Sequence, residues 1–227
     1  MTNETIAAVI DWMNQGNRGD RLFTRSIDGG VHHGIVWLRG PDDPCSSGYV
    51  VYLVRNDAGL YVAAVIDMGE QDLHGYTTPD YRRKGVMAAA MRNVILPHLA
   101  SRGRSQQWVS FQTSDGRNLV SRLGFEITKE ISLEGPGEAH VSLRPTRAFP
   151  DSMAVPLTPK RLAGVRARIK EARNLCKIIA DEVRTSLGQH CRAAEHLEEA
   201  EYSLSWVDLH VDDENCELTR SATASGA

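Results

Sequence analysis

One change in the spacing of apolar residues constrains the fold of this 227-residue chain more than any other feature. Up to about residue 147, apolar residues occur in short runs separated by turn-forming residues, a pattern typical of strands. After four prolines between positions 145 and 159, they recur every three or four residues, which is the spacing of one face of a helix. We therefore expect a strand-rich domain over residues 1–147, a proline-rich linker over 148–157 and helices beyond it.

The strand-rich part is predicted to begin with a helix that Thr2 or Asn3 caps. Five strand-like segments follow, at 22–27, 31–38, 48–54, 60–68 and 72–78. Their short links favour antiparallel pairing. A helix over 85–96, which Pro97 is expected to kink or stop, a strand over 107–112, a helix over 116–123 and a closing hairpin over 125–143 complete the order. This order predicts an α+β domain whose mixed, mostly antiparallel sheet is flanked by helices.

The helical part is predicted to be a hairpin over residues 158–210. Between 158 and 187 the chain carries eight basic and three acidic residues, net +5, whereas 188–210 carries one basic and five acidic residues, net −4. Antiparallel packing of a basic helix against an acidic one explains this division. The apolar stripe of the hairpin needs a partner surface, which is either the first domain or the hairpin of a second chain. Because the two helices are self-complementary about a two-fold axis, we expect a homodimer through the hairpin. Residues 211–227 are predicted to form a flexible acidic tail.

Composition limits the class of protein. The net charge of −3 and the pI of about 6.2 argue against a surface that is basic throughout. No apolar run reaches the ~20 residues that span a bilayer, and residues 1–14 carry two acids and no basic segment. We therefore expect a cytoplasmic protein with no membrane partner. The four cysteines are scattered, and His32 and His33 lack a third ligand at suitable spacing, so no metal is expected.

The segment from Thr77 to Ala88 carries the chemical signal. Arg82, Arg83 and Lys84 are consecutive and precede Gly85, where a helix is predicted to start. Backbone amides at a helix start bind phosphate groups. The stretch 82–104 contains six cations and no acid, which favours a polyanionic ligand and leaves nucleic-acid binding open as an alternative.

These residues resemble a known signature. Pro79, Tyr81, Arg82, Lys84 and Gly85 are similar to the acyl-CoA motif of the GNAT family of N-acetyltransferases, and the run from Arg122 to Phe125 is similar to its second motif. With the element order, the resemblance covers about residues 22–143. It implies acetyl-CoA as cosubstrate. The residues implied in binding it are Thr77, Arg82, Arg83, Lys84, Gly85, Val86, Met87 and Ala88.

The chain also departs from that family pattern. Met87 replaces a small residue of the first motif, and Val120 stands where the family often has the tyrosine that protonates the leaving thiolate. The acid is unassigned, with Ser114 and Ser121 as nearby hydroxyl candidates. Asp72 and His74 alternate along the strand before the motif and are the candidates for the base that deprotonates the amine.

The function expected from these features is direct acyl transfer from acyl-CoA to an amine, since no cysteine near the motif offers a nucleophile. The acceptor stays open among a small amine, a protein amine and the amino group of a modified nucleobase. Two alternatives of other classes remain: a noncatalytic binding or scaffold protein that keeps the fold, and a nucleic-acid-binding module that uses residues 82–104.

Overall fold

The computed structural model describes residues 2–16, 22–37, 48–130, 136–149, 156–188 and 191–224. The chain divides into two compact units, Met1–Asp151 and Ser152–Ala227. Within the described ranges, no helix combines the length and apolar character that crossing a membrane requires.

The first unit begins its sheet with five antiparallel strands in sequence order. They are β1 (Leu22–Asp28), β2 (Val31–Trp37), β3 (Gly48–Arg55), β4 (Tyr61–Asp67) and β5 (Leu73–Thr77). The turn between β3 and β4 closes through hydrogen bonds from Gly59 N to Asn56 O (2.9 Å) and from Asn56 N to Leu60 O (2.8 Å). Each strand thus pairs with its sequence neighbour, as the short links predict.

A second antiparallel sheet has the order β6 (Gln106–Phe111), β8 (Gly137–Ser142) and β7 (Glu126–Glu130). It meets the first sheet where Trp108 N donates to Glu70 O at 2.9 Å and Ser110 N donates to Asp72 Oδ1 at 3.0 Å. From the first of these hydrogen bonds to the second, the residue numbers increase on both segments, so β5 and β6 run in the same direction there. The prediction of an α+β domain with a mostly antiparallel sheet is confirmed. The five-stranded and three-stranded parts of the sheet separate between β5 and β6.

Helices cover both faces of this sheet. Helix α1 (Asn3–Asn14) is capped by Thr2, whose side chain accepts from Thr5 N, as predicted. Its buried face packs with residues of β3 and β4 in one core. The opposite core contains residues from the helices that follow β5 and from β6, with the short helix α4 (Ser114–Arg122) beside it.

Of the two outcomes expected at Pro97, the stop near Leu96 is wrong. Helix α2 (Val86–Ala90) passes into a π-helical turn (Met91–Ile95), and α3 (Leu96–Ser101) continues beyond the proline. Proline lacks an N–H and its ring crowds the carbonyl four residues earlier. The wider π turn before Pro97 relieves that crowding, so the chain stays helical.

The second unit consists of α5 (Pro159–Leu187) and α6 (Arg192–Ala224). Thr158 caps α5 and Gly188 ends it at a φ of 100°. The prediction of a flexible tail after residue 210 is wrong up to Ala224, because α6 continues through it. Val211 and Leu218 extend the apolar spacing of α6, and Asn215 Oδ1 accepts from Leu157 N at 2.5 Å.

Candidate active site

A buried polar network fixes the point where β5 and β6 begin to separate. Arg104 forms a bidentate ion pair with Asp67 (both N···O distances 2.9 Å), and its guanidinium also donates to Gln107 Oε1. Gln107 is fully buried, and its Nε2 lies 3.1 and 3.2 Å from the carbonyl oxygens of Gly69 and Glu70. The network therefore ties the turn before β5 to the start of β6.

Asp72 lies just beyond this network, at the last point where β5 and β6 touch. Its Oδ1 accepts from the amides of Leu73 and Ser110, each at 3.0 Å. A carboxylate that accepts two backbone N–H groups joins the strand edges. This geometry favours a structural role for Asp72 over its predicted role as the base.

Beyond Asp72 the strands diverge around a cavity of about 680 Å³. Leu73, Gly75 and Thr77 line it from one face of β5, and Asp72 and His74 line it from the other. Because alternate residues of a strand point to opposite faces, the cavity passes through the gap between the sheets. The first turn of α1 borders it on one side. Met87, Met91 and α4 border it on the other.

His74 is the predicted base that the structure brings into this cavity. Its Nε2 lies 3.2 Å from Asn3 Oδ1. In the tautomer that donates this hydrogen bond, Nδ1 carries the lone pair, and no hydrogen bond joins Nδ1 to another described residue. Burial lowers the pKa of His74 below its ordinary 6.5, and the nearby Asp72 partly offsets this shift. The imidazole is therefore neutral at pH 7 and able to accept a proton.

Glu4 is a third ionisable group at the cavity, beside Asp72 and His74, and the sequence pattern did not identify it. Hydrogen bonds from its own backbone N–H and from Thr2 lower the pKa of its carboxyl group. A carboxylate with a lowered pKa is a weaker base, so His74 is a better proton acceptor than Glu4.

The segment between β5 and α2 forms a loop at the end of the cavity, since it joins the lining residues Thr77 and Met87. It contains a 3-10 turn (Pro79–Tyr81), then Arg83 at a φ of 59° and Gly85 at 79°. Gly85 caps α2 without a side-chain hydrogen bond, and a Cβ placed on it would meet nothing within 4 Å, so the space beside the helix start is open. The first amides of a helix have no acceptor within the helix and can bind an anion.

The cations of this loop have partners in the protein. Arg83 pairs with Asp115 at the start of α4 (3.1 Å), Arg82 Nε donates to Thr77 O (3.1 Å), and Lys84 Nζ lies 4.9 Å from the Tyr81 ring centre. Farther along, Arg104 belongs to the buried network and Arg92 donates to Arg122 O. The prediction of one six-cation surface over residues 82–104 is therefore not supported by the arrangement of these side chains.

The structure places the remaining predicted residues differently. Val86 and Ala88 lie in the first turn of α2. Met87 turns into the core and lines the cavity near Gly75, so its length extends away from the loop amides. Val120 is buried in the cavity wall, whereas Ser114 is exposed and does not line it.

The hydroxyl residues at the cavity are therefore not the predicted one. Ser110 and Thr113 line it, and Thr113 also caps α4 by accepting from Gly116 N at 3.2 Å. Ser110 shares a face of β6 with Trp108, a period-two signal that could have located it from the sequence. Asn3 and Glu4 carry no such signal, because a tertiary contact of α1 brings them here. The described residues contain no group of three side chains suited to a metal ion.

The chain matches no family model and no curated protein sequence. It is similar to solved structures of acetyltransferases, at low identity and partial coverage. A ribosomal-protein-S5-alanine acetyltransferase from Vibrio fischeri is 11% identical over 44% of this chain, with a TM-score of 0.35. The match spans 64% of that protein's length.

Two further similar structures belong to the same broad group. An acetyltransferase of the GNAT family from Bacillus anthracis is 12% identical over 44% of this chain and 67% of its own, with a TM-score of 0.33. A spermidine N-acetyltransferase variant from Vibrio cholerae is 7% identical over 63% of this chain and 92% of its own, with a TM-score of 0.36.

Proposed function

We propose that this protein is an N-acyltransferase that moves an acyl group from acyl-CoA, with acetyl-CoA as the expected donor, directly to an amine. The observation that carries the proposal is the continuous site made by the diverging β5 and β6 and the loop 78–86. One end offers helix-start amides to an anion, and the middle offers an apolar cavity with a neutral histidine.

The loop would hold the pyrophosphate of the donor. The amides of Val86, Met87 and Ala88 begin α2 with no capping side chain, and Arg82 and Lys84 add positive charge beside them. Arg83 has an unusual positive φ, and its exposed ion pair with Asp115 joins the loop to the start of α4.

The edge of β5 would hold the pantetheine arm. From Gly75 to Thr77, β5 pairs only with β4, so its other edge presents backbone N–H and C=O groups to the cavity. Pantetheine carries two amides that can pair with such an edge. The same edge donors can polarise the acyl carbonyl.

In the reaction, the amine nitrogen attacks the thioester carbonyl carbon, the new C–N bond forms and the C–S bond breaks. His74 Nδ1 takes the proton that the amine loses, directly or through one water. The leaving CoA thiolate takes a proton from solvent or from a cavity hydroxyl. Ser110 and Thr113 replace Ser114 as candidates for that hydroxyl.

A noncatalytic scaffold protein is the second candidate, favoured by the apolar Val120 where a proton donor is common. A thiolate can, however, leave without a dedicated acid, because the pKa of a thiol is only about 8.5. Nucleic-acid binding through residues 82–104 has less support, because Arg104 is only 17% exposed and pairs with Asp67, and because Arg83 and Arg92 bind protein acceptors.

The test is turnover of acetyl-CoA, followed as free thiol, with a panel of small amines, peptides and nucleosides. Gly85→Asp should abolish turnover and the rise in melting temperature with acetyl-CoA, because it places a carboxylate among the anion-binding amides. Gly103→Asp is the matched control, since Gly103 has a similar φ of 90° and equally open surroundings. Thermal stabilisation that Gly85→Asp removes, without turnover of any amine, would favour the scaffold function.

A further inference from the structure

The two flanks of the α5–α6 hairpin differ in chemistry. Every cross-helix ion pair recorded between the described residues lies on one flank. These pairs join Arg166 to Asp208 and Asp212, Arg173 and Lys177 to Glu201, and Arg184 to Glu198. At 100° per residue, the cations of these pairs fall within about 40° of one another around α5. We call this side the ionic flank.

Apolar side chains occupy the middle of the opposite flank, where the charged residues Arg168 and Glu182 stand seven residues before and after Leu175. Leu175 and Ile179 lie one turn apart on α5, about 160° around the helix from the ionic flank. They are 52% and 43% exposed. Val207 of α6 lies on the same side and is 43% exposed, and Ile178 and Trp206 border it. These five residues form what we call the apolar flank.

The hairpin itself has little core. Within the described part of the second unit, only Ala180 and Ala194 are buried hydrophobic residues. Two long helices held by a seam this thin need further apolar burial to be stable.

We propose that a second copy of this chain covers the apolar flank, so that two hairpins form an antiparallel four-helix bundle with the two-fold axis parallel to the helices. Two helices about 43 Å long and about 9 Å apart present a flank on the order of 800 Å². That is about the area each partner covers in a stable complex, roughly 800 Å².

Charge selects this arrangement over the alternative. α5 carries eight basic and three acidic residues, net +5, and α6 carries nine acidic and two basic residues, net −7. A two-fold axis parallel to the helices places α5 against α6 of the partner, and it repeats the antiparallel polarity within each hairpin. An axis perpendicular to the helices would instead place α5 on α5 and α6 on α6, where like charges repel.

The oligomeric state of the full chain, measured by light scattering at micromolar concentration, tests the surface. We expect a dimer, and Leu175→Glu with Ile179→Glu should convert it to a monomer. Leu209→Glu is the matched control, since Leu209 is 51% exposed but lies about 160° around α6 from Val207. It should leave the dimer intact. Far-UV circular dichroism reports whether each variant keeps its helices.

Spin labels test the arrangement. With the four cysteines replaced by serine, a label at Leu187→Cys reports the bend of the hairpin, because Leu187 is the last residue of α5 and is 72% exposed. A parallel axis brings the two bends together, at about 10–25 Å. A perpendicular axis separates them by about 40 Å, one helix length.

The outcomes are decisive. A monomeric full chain overturns the proposal, and so does a dimer that the Leu175 and Ile179 double variant leaves intact. A distance of about 40 Å overturns the arrangement. A dimer with the short distance, lost in the double variant but kept in Leu209→Glu, supports it.

Discussion

At the scale of single residues, Asp72 and His74 have different roles. Their alternation on one strand made both of them candidates for the base, but the contacts of Asp72 are structural. Asp72 binds the backbone of both diverging strands, whereas His74 lines the cavity and hydrogen-bonds Asn3 through Nε2. The two side chains nevertheless remain coupled, because the Asp72 charge raises the pKa that burial lowers in His74.

This coupling gives a pH prediction. If His74 is the base, kcat/KM should fall with acid through a pKa below the ordinary 6.5 of histidine. His74→Gln should remove that limb and lower turnover by about 10²-fold or more, the usual effect of losing a general base. Asp72→Asn keeps the Oδ1 acceptor but removes the charge, so the limb should move to lower pH. A limb unchanged in His74→Gln would assign the base elsewhere.

Arg104 gives a second residue-scale prediction, about stability. Its guanidinium is one-sixth exposed and pairs with a nearly buried Asp67. Arg104→Met leaves that carboxylate without its partner and should lower the free energy of unfolding by about 3 kcal/mol in urea titrations, the usual effect of breaking a buried pair. The exposed Arg144→Met should change it by under about 0.5 kcal/mol. Equal effects in the two variants would show that the network does not hold the strands together.

At the scale of elements, local patterns in the sequence predict the strands well. The β3–β4 turn has the residues its geometry needs, and the apolar spacing locates both long helices. The two predictions that were wrong, the helix stop at Pro97 and the flexible tail after His210, concern segments whose conformation depends on neighbouring structure. A π turn makes Pro97 compatible with a continuous helix, and the seam with α5 keeps the acidic residues after His210 helical.

The candidate site divides in the same way. The loop residues follow from a contiguous motif, so the sequence identified them. The sequence did not identify the partners of Arg83 and Arg104. Their partners, Asp115 and Asp67, lie 32 and 37 residues away along the chain. Net charge along a stretch therefore overstated the positive surface.

Because of its ionic flank, we expect the hairpin to lose stability in acid. Hydrogen bonds from Arg184 and Arg173 lower the pKa of Glu198 and Glu201 below 4.5. Their contribution to stability is therefore complete above pH 4.5 and is lost as pH falls through the lower folded-state values.

Thermal unfolding followed by circular dichroism should show this loss between pH 5 and 3 as a falling helical midpoint. Glu198→Gln with Glu201→Gln should flatten the pH dependence relative to the parent chain. Since other carboxylates also titrate there, the informative quantity is the difference between the two curves. Identical curves would show that these ion pairs do not stabilise the hairpin.

At the scale of the whole molecule, the two units differ in what holds them together. Both hydrophobic cores lie in the first unit, whereas the second has a thin seam and a flank that we assign to a second chain. Each unit should therefore respond to a different ligand: the first to acetyl-CoA and the second to protein concentration.

Differential scanning calorimetry of the full chain tests this division. We expect two transitions. The transition of the second unit, assigned by the loss of helical signal in parallel circular dichroism, should rise in temperature with protein concentration, because only folded hairpins dimerise. The other should rise with acetyl-CoA, by about 2.7 kcal/mol of stabilisation at a hundred times the dissociation constant. Leu175→Glu with Ile179→Glu should remove only the concentration dependence, and Gly85→Asp only the response to acetyl-CoA. A single transition that depends on both would show that the two units unfold together.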